Sequence, residues 1–450
     1  MDKNSVIGLL IIALILVVFG LLNKPSQEEI ERAQRRRDSL QKIEQQRQDT
    51  TPQQETRQKK AAGGQQQATT QDQAPAPTDT SASTKALREE YGPFARSARG
   101  EQKAVVLENN RIKARISTMG GKLNMVELKK YETYEGGPLV LFDSTRNTFG
   151  FNFFANNRRI ATNDLYFRIE NNRDSIFVKD RAQTVNMRLY AGDQNYIEYS
   201  YTLKPNSNIL DFNVRFVRMN TIIPRNLSTM NLQWNINSPQ QEKGADNENN
   251  FTTIGYKYYQ DDVDDIRARA NDEDSEEINT RLKWVAFKQQ FFSSILVSDQ
   301  YFSNAEVSFK TLGDSKEYLK HMTAQIGVPY KTRGQYEMPM HFYFGPNHYN
   351  TLKDYDQGFE DLVNLGPAIF SWVSKYIIIP IFNWLDNSIA NYGIIILLLT
   401  LIIKAVLFPL TYRSYLSQAK MRVLKPEIDE INKKYPKKED NMKKQRATMD

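Results

Sequence analysis

The sequence predicts a membrane protein of mixed class, an exported all-β sandwich joined to an α-helical transmembrane core. Three observations carry that expectation. Residues 6–22 and 394–410 are apolar runs close to the length that crosses a bilayer. Between them, roughly 240 residues alternate apolar and polar side chains between Asn-, Gly- and Asp-rich turns. A dense basic stretch follows directly behind the second run.

Residues 6–22 are interrupted only by the small residues Gly8, Ala13 and Gly20. At 1.5 Å per residue they cover about 26 Å, just short of the roughly 30 Å hydrocarbon core. Only Lys3 precedes them as a basic residue, and Val18-Phe19-Gly20 is a poor cleavage site. Segment 1–22 therefore reads as an uncleaved signal anchor, with a cleaved signal peptide as the alternative.

The second run gains Tyr392 and Tyr412 as interfacial aromatics, which makes 392–412 a span of about 31 Å. Residues 411–450 hold eleven Lys and Arg against six Asp and Glu, so most of the net charge of +7 sits there. Beside a span, such an excess is a topology signal before it is a nucleic-acid patch. Upstream lie Asp354, Asp356, Glu360, Asp361 and Asp386. The positive-inside rule then puts 413–450 in the cytoplasm and residues ~23–391 outside. Lys24, Arg32, Arg35, Arg36 and Arg37 argue the opposite way for the first span. The larger asymmetry at the second span decides the orientation, with a cytoplasmic N-terminus.

Residues 23–100 are rich in Gln, Arg, Glu, Thr, Ala and Pro, with Gln65-Gln66-Gln67 and Ala74-Pro75-Ala76-Pro77 as markers. Such a segment buries too little to offset its ordering entropy, which predicts a disordered or loosely helical tether. Strand signals fill 101–350. Val105-Val106-Leu107 precedes a turn at Asn109-Asn110, and Ile112, Ala114 and Ile116 alternate with Arg111, Lys113 and Arg115. Further signals are Phe151-Asn152-Phe153, Tyr166 to Ile169, Tyr196 to Tyr199, and the period-two run 209–217.

The chemistry in this region is thin. The absence of cysteine excludes disulfides, thiolate metal sites, cysteine nucleophiles and a lipid-bearing N-terminus. His321, His341 and His348 have no metal-ligand or triad spacing and read as packed or surface residues. Asp261-Asp262-Val263-Asp264-Asp265 with Asp272, Glu273 and Asp274 lacks the glycine and terminal glutamate of a calcium loop, which leaves a solvated acidic loop. Met119-Gly120-Gly121 reads as a turn between strands, not a phosphate cradle. No metal, no cofactor and no enzymatic activity are expected.

Segment 351–391 reads as a linker followed by an interfacial helix. Ser371, Ser374 and Lys375 share one helical face, while Phe370, Trp372, Val373, Tyr376 and Ile377 cover most of the rest. Pro380 is expected to interrupt the run, leaving neither half long enough to span. Trp372, Tyr376 and Trp384 suit the headgroup zone, so the helix is expected to lie on the outer leaflet; a buried sandwich helix is the alternative.

Lys404 is the site residue singled out. It stands in Leu401-Ile402-Ile403-Lys404-Ala405-Val406-Leu407, about midway along the second span, where a lysine costs roughly 2.5–3.5 kcal/mol on insertion scales. Two readings stand side by side. Its stem can snorkel to cytoplasmic headgroups, or its ammonium can face a hydrated groove inside a helix bundle. Behind it, Leu416, Ala419, Val423 and Leu424, then Ile428, Ile431 and Tyr435, recur at helical spacing. They predict a cytoplasmic amphipathic helix kinked at Pro426, with a basic face and an apolar stripe in need of a partner.

The block from Tyr392 to Pro426 resembles the core of the YidC-type membrane protein insertases. It contains Leu407-Phe408-Pro409-Leu410-Thr411 running into Ser417-Gln418-Ala419-Lys420-Met421-Arg422-Val423-Leu424-Lys425-Pro426. Phe344-Gly345-Pro346, residues 116–121 and residues 284–292 are similar to stretches of that family's exported domain, in the same order. The resemblance implies a galactose-mutarotase-like supersandwich, an outer interfacial helix, a five-helix core with a groove open to the cytoplasm, and a cytoplasmic helical hairpin beginning in 413–450. It implies the insertion and folding of nascent membrane proteins without nucleotide or cofactor. The partners it implies are those nascent chains, Sec translocon components, the ribosome and the lipid bilayer. Lys404 stands where the family usually has arginine, so a bidentate hold on an acidic segment is in doubt. The family continues with further spans beyond the position of Asp450, so the chain is expected to be a portion of a longer protein. Two other readings are a tethered carbohydrate-binding or mutarotase-like module, with chemistry near His341 or His348, and a translocon-docking scaffold.

Overall fold

The computed structural model describes residues 80–434 apart from 171–172, 267–271, 314, 316 and 390. The anticipated first span and most of the anticipated tether lie outside the described residues. The chain divides into two compact units, Asp72–Val363 and the rest.

The first unit opens with α1 (Thr80–Tyr91) and a 3-10 turn at Gly92–Ser97. Phe94 in that turn is fully buried and meets the Phe153 ring at 6.0 Å. The hydrophobic core thus claims chain that composition alone assigns to the tether. Phe94 is helped by Tyr91 and Ala98, which pack on the same core, by Ser97 Oγ, which donates to the Tyr190 carbonyl at 3.0 Å, and by Arg158 Nε, which donates to the Glu89 carbonyl at 2.7 Å.

Eight strands follow in the first half: β1 (Ala104–Glu108), β2 (Ile112–Ser117), β3 (Leu123–Glu132), β4 (Pro138–Phe142), β5 (Thr148–Ala155), β6 (Arg158–Ala161), β7 (Arg168–Ile169) and β8 (Ser175–Phe177). Then come β9 (Gln183–Tyr190), β10 (Tyr196–Leu203), β11 (Ile209–Val217) and β12 (Thr229–Pro239), the short helix α2 (Ala245–Phe251), β13 (Thr253–Tyr258), β14 (Val263–Asp265), β15 (Glu273–Ile278) and β16 (Leu282–Lys288). The unit closes with β17 (Phe292–Phe302), β18 (Asn304–Thr311), β19 (Tyr318–Pro329), β20 (Gln335–Pro346) and α3 (Tyr349–Lys353). They form a nine-stranded sheet (β14-β13-β16-β17-β20-β11-β10-β9-β7), a six-stranded sheet (β15-β18-β19-β12-β5-β6) and a five-stranded sheet (β4-β3-β2-β1-β8). Named strands pair antiparallel except β1 with β8.

The two larger sheets meet through aromatic rings. Phe149 of β5 lies 5.4 Å from both Phe212 of β11 and Phe342 of β20, and Trp234 of β12 packs at a tilt 4.0 Å from Phe287 of β16. The cause is legible in β11, where Leu210, Phe212, Val214 and Phe216 are buried and every intervening residue is only half so. Gly120 and Gly121 make the expected turn with φ of +80° and +61°, and a Cβ on Gly121 would lie 2.7 Å from the Phe167 ring. Opposite charge is handled with equal economy. Glu198, 2 % exposed, accepts from Arg188 Nε at 2.5 Å and from Arg215.

One expectation changes. The acidic stretch around 261–277 is not simply a solvated loop: it contributes β14 and β15, each the outermost strand of its sheet. Carboxylates along an edge keep its open hydrogen-bonding groups hydrated and repel further strands, which suits that position. Residues 284–287 are buried on both faces, because α3 and a 3-10 turn (Phe359–Leu362) lay a second small core over the outer side of the nine-stranded sheet. Trp284 anchors it, donating from Nε1 to the Gln357 carbonyl at 3.0 Å.

In the second unit, α4 (Ala368–Val373), a π-turn (Ser374–Ile378) and α5 (Ile379–Asp386) make one unbroken helical run. Pro380 does not interrupt it. A proline ring collides with the carbonyl four residues back, and a widened turn just ahead of it relieves that contact. Next comes α6 (Tyr392–Lys434), a 43-residue helix that passes through both Pro409 and Pro426. The span and the amphipathic helix expected behind it thus belong to one continuous helix. Asn391 caps α6, its Oδ1 accepting from the N–H of Gly393 at 2.9 Å and of Ile394 at 3.3 Å.

Candidate functional site

Tyr392–Pro409, the first part of α6, is the one segment among the described residues long and apolar enough to cross a membrane. Its side chains are almost all exposed in the isolated chain, including Ile394, Leu397, Leu401, Val406 and Phe408. In water such a surface is unfavourable by tens of cal/mol per Å², so it calls for lipid or for neighbouring helices.

Lys404 interrupts this apolar surface. It lies about 18 Å from the start of α6 and about 8 Å before Pro409, at 1.5 Å per residue. Its side chain is exposed, and among the described residues no ion pair reaches it. Thr400 stands one turn before it and Thr411 two turns after it, on the same side of the helix at 100° per residue. Each threonine hydroxyl donates back within the helix, Thr400 to the Ile396 carbonyl at 2.7 Å and Thr411 to the Leu407 carbonyl at 2.6 Å. Their protons are thereby accounted for, while the oxygen lone pairs remain on the surface as acceptors. The result is a narrow polar stripe on an apolar rod, with one cation between two hydroxyls. It can hold a carboxylate, a peptide carbonyl or water, and it contains no nucleophile–base pair. The spacing of i−4 and i+7 from Lys404 was available in the sequence as the signal for both threonines.

The run 368–386 presents aromatic surface as anticipated. Phe370 and Trp384 are 65 % and 67 % exposed, and Trp372 and Tyr376 pack ring to ring at 5.8 Å. Phe382 stacks on Tyr392 at 6.2 Å with planes 5° apart, which ties α5 to the start of α6.

The histidines have local partners. His321 Nδ1 pairs with Asn237 Oδ1 at 2.7 Å, His341 Nδ1 with Asp299 Oδ1 at 3.0 Å, and His348 Nδ1 with Thr351 Oγ1 at 2.9 Å, at the start of α3. Burial holds both His321 and His341 below the usual imidazole range, with Asp299 opposing that effect at His341. A shallow notch where β17 and β20 part is lined by Tyr301, Tyr336, Glu337, Met338 and Met340. It offers one carboxylate and no base beside it. Among the described residues, no cluster of His, Asp and Glu has metal-ligand geometry.

Comparison with known proteins bears on these features directly. Residues 104–380 match the family model described as the YidC periplasmic domain, and residues 384–450 match the 60Kd inner membrane protein family. The membrane protein insertase YidC of Parabacteroides distasonis is 36% identical over 459 residues, covering 100% of this chain and 69% of that protein. That of Porphyromonas gingivalis is 38% identical over 466 residues, with the same coverage. Among solved structures, YidC from Thermotoga maritima is 16% identical with a TM-score of 0.31, covering 72% of this chain and 75% of that one. A galactose mutarotase related enzyme from Lactobacillus acidophilus is 11% identical with a TM-score of 0.32, covering 54% and 97%. Family models matching nearly the whole of residues 104–450, with relatives similar along the full length, make the conclusion plain: this chain belongs to the YidC family of membrane protein insertases.

Proposed function

We propose that this chain inserts nascent proteins into the bacterial inner membrane and acts there without catalysing a covalent reaction. The observation that carries the reading is the polar stripe of Thr400, Lys404 and Thr411 on an otherwise apolar helix. A polar segment of a client chain loses several kcal/mol of hydration on entering hydrocarbon, and a charged, hydrated stripe offsets part of that loss. The stripe favours the hydrated-groove reading of Lys404 over simple snorkelling, since a snorkelling lysine needs no hydroxyls beside it. Closing such a groove takes further helices packed against α6.

The basic residues of 413–450 support a topology with the sandwich in the periplasm, residues ~23–391 outside, and both 413–450 and the N-terminus in the cytoplasm. Ribosomal RNA is then a chemically suitable partner for the basic end of α6, and Sec translocon components are candidates on the other side. The anchored aromatics of 368–386 suit the outer headgroup layer.

The test uses the full-length insertase in cells depleted of other copies, reading protease protection of a small client whose exported segment carries an acidic residue. Lys404→Ala is expected to lower insertion about tenfold or more, and Lys404→Arg to keep at least half of it. Unchanged insertion in Lys404→Ala would remove Lys404 from the groove.

A further inference from the structure

The segment between β12 and β13 covers two buried charges that are not paired with each other or with any other ion among the described residues. Lys320 of β19 is 0 % exposed. Its ammonium donates to the carbonyls of Asn249 at 3.0 Å and Thr252 at 2.7 Å, at the end of α2, and lies 4.1 Å from the centre of the Phe309 ring. Glu248, within α2 itself, is also 0 % exposed. Its carboxylate accepts from the N–H of Gln241 at 3.0 and 3.1 Å and of Glu242 at 3.0 Å. The same cover encloses Ser238 Oγ, Gln241 Oε1 and Asn249 Oδ1, none of which has a hydrogen-bond partner among the described residues.

The groups facing these charges do not neutralise them. Lys320 has Ser238 of β12 and Thr311 of β18 as register neighbours. The ionisable groups on the elements around it are Asp246 and Glu248 of α2, Glu306 and Lys310 of β18, and Tyr318 and His321 of β19. Glu248 faces Glu242 and Tyr134, of which the first repels it. β12 contributes no titratable group.

We propose that residues 240–252 form a flap that opens while the sandwich stays folded, because closing it takes the Lys320 ammonium and the Glu248 carboxylate out of water without a countercharge for either. Opening hydrates both charges and the three unpartnered polar atoms. It leaves the strand ladders of β12 with β19 and β5 in place, since none of those hydrogen bonds involves α2.

The direction of the pH response follows from the same burial. Burial pushes Lys320 down to about 8 in the closed form, whereas an open flap returns it to its ordinary 10.5. The closed form therefore binds fewer protons than the open form between those values, and closing strengthens as pH rises. Burial also raises Glu248, against the opposing backbone hydrogen bonds from Glu242 and Gln241, so closing strengthens as pH falls toward that group's titration. The flap is loosest between the two, near neutrality.

Hydrogen exchange on the full-length protein, read by mass spectrometry, tests this. At pH 7, residues 240–252 should exchange faster than β12 and β19. After correction for the intrinsic chemical rate, their open fraction should fall about tenfold from pH 7 to pH 9. In Lys320→Met that fall should vanish. Should the variant fail to fold, acetylation of the unaltered protein serves instead. Lys320 should then be modified while the sandwich remains folded, more slowly than exposed Lys310. An open fraction that is flat or rises with pH, exchange of 240–252 only together with β12 and β19, or acetylation of Lys320 only after unfolding would each overturn the proposal.

Discussion

The sandwich and the helical unit solve opposite problems with the same residue types. In the sandwich, Phe149, Phe212, Trp234, Phe287 and Phe342 face one another and are all but lost to solvent. In the helical unit, Phe370, Trp372, Trp384 and Phe408 face outward with more than half their surface exposed. These rings of the first unit are enclosed on all sides by their neighbours, whereas those of the second touch at most one ring along the same run, as Trp372 does Tyr376 and Phe408 does Tyr412, and leave the rest of their surface open. Position in the chain, not composition, decides whether a phenylalanine stabilises the fold or recognises its surroundings.

Truncating one ring in each unit separates the two roles. Phe342→Ala should destabilise the sandwich by about 3–5 kcal/mol, the usual loss for a packed phenylalanine. Phe370→Ala should leave the urea midpoint of the sandwich unchanged and lower only the affinity for lipid vesicles. Equal effects on both readouts would erase the distinction. Next in size, Glu198→Ala should cost about 1.5–3 kcal/mol, because it removes the buried carboxylate that the half-buried Arg188 and Arg215 share, although Arg188 keeps Glu170 as a partner. Thermal denaturation would register this as a lower midpoint, and a shift under one degree would show the triad to be ornamental. The smallest effect belongs to the helical unit. Asn391→Ala removes two capping hydrogen bonds from α6 and should cost about 1 kcal/mol, seen as faster amide exchange at residues 393–394 alone.

Much of the sandwich was legible because a sheet with one dry face writes its period into the chain. Residues 209–217 show this, with burial following the alternation residue by residue. Where a second layer covers the outer face, the period disappears: Trp284, Val285, Ala286 and Phe287 are all buried, and only the distant 359–362 turn explains why. The acidic edge strands β14 and β15 were hidden for the converse reason, since edge placement selects residues that elsewhere signal a loop. Phe94 was missed because one anchor leaves no pattern. In the helical unit the span was plain from composition, and so was the oddity of Lys404. That Thr400 and Thr411 share its side required laying the run on a helix, and that Pro380, Pro409 and Pro426 fail to break their helices required the structure. Proline reports a lost hydrogen bond, and a long helix tolerates that loss when the turn before it widens or simply carries on.

Continuity through Pro409 has a mechanical consequence. At 1.5 Å per residue, the 43 residues of α6 extend about 65 Å, roughly twice the depth of a hydrocarbon core. Thr400, Lys404, Thr411, Gln418, Arg422 and Lys425 all fall on one side of that rod at 100° per residue. Whatever grips the basic end therefore sets the azimuth of Lys404, as a key turned at one end of a shaft turns the bit at the other. A single-residue slip in that grip would swing the lysine, together with Thr400 and Thr411, through about 100° about the helix axis.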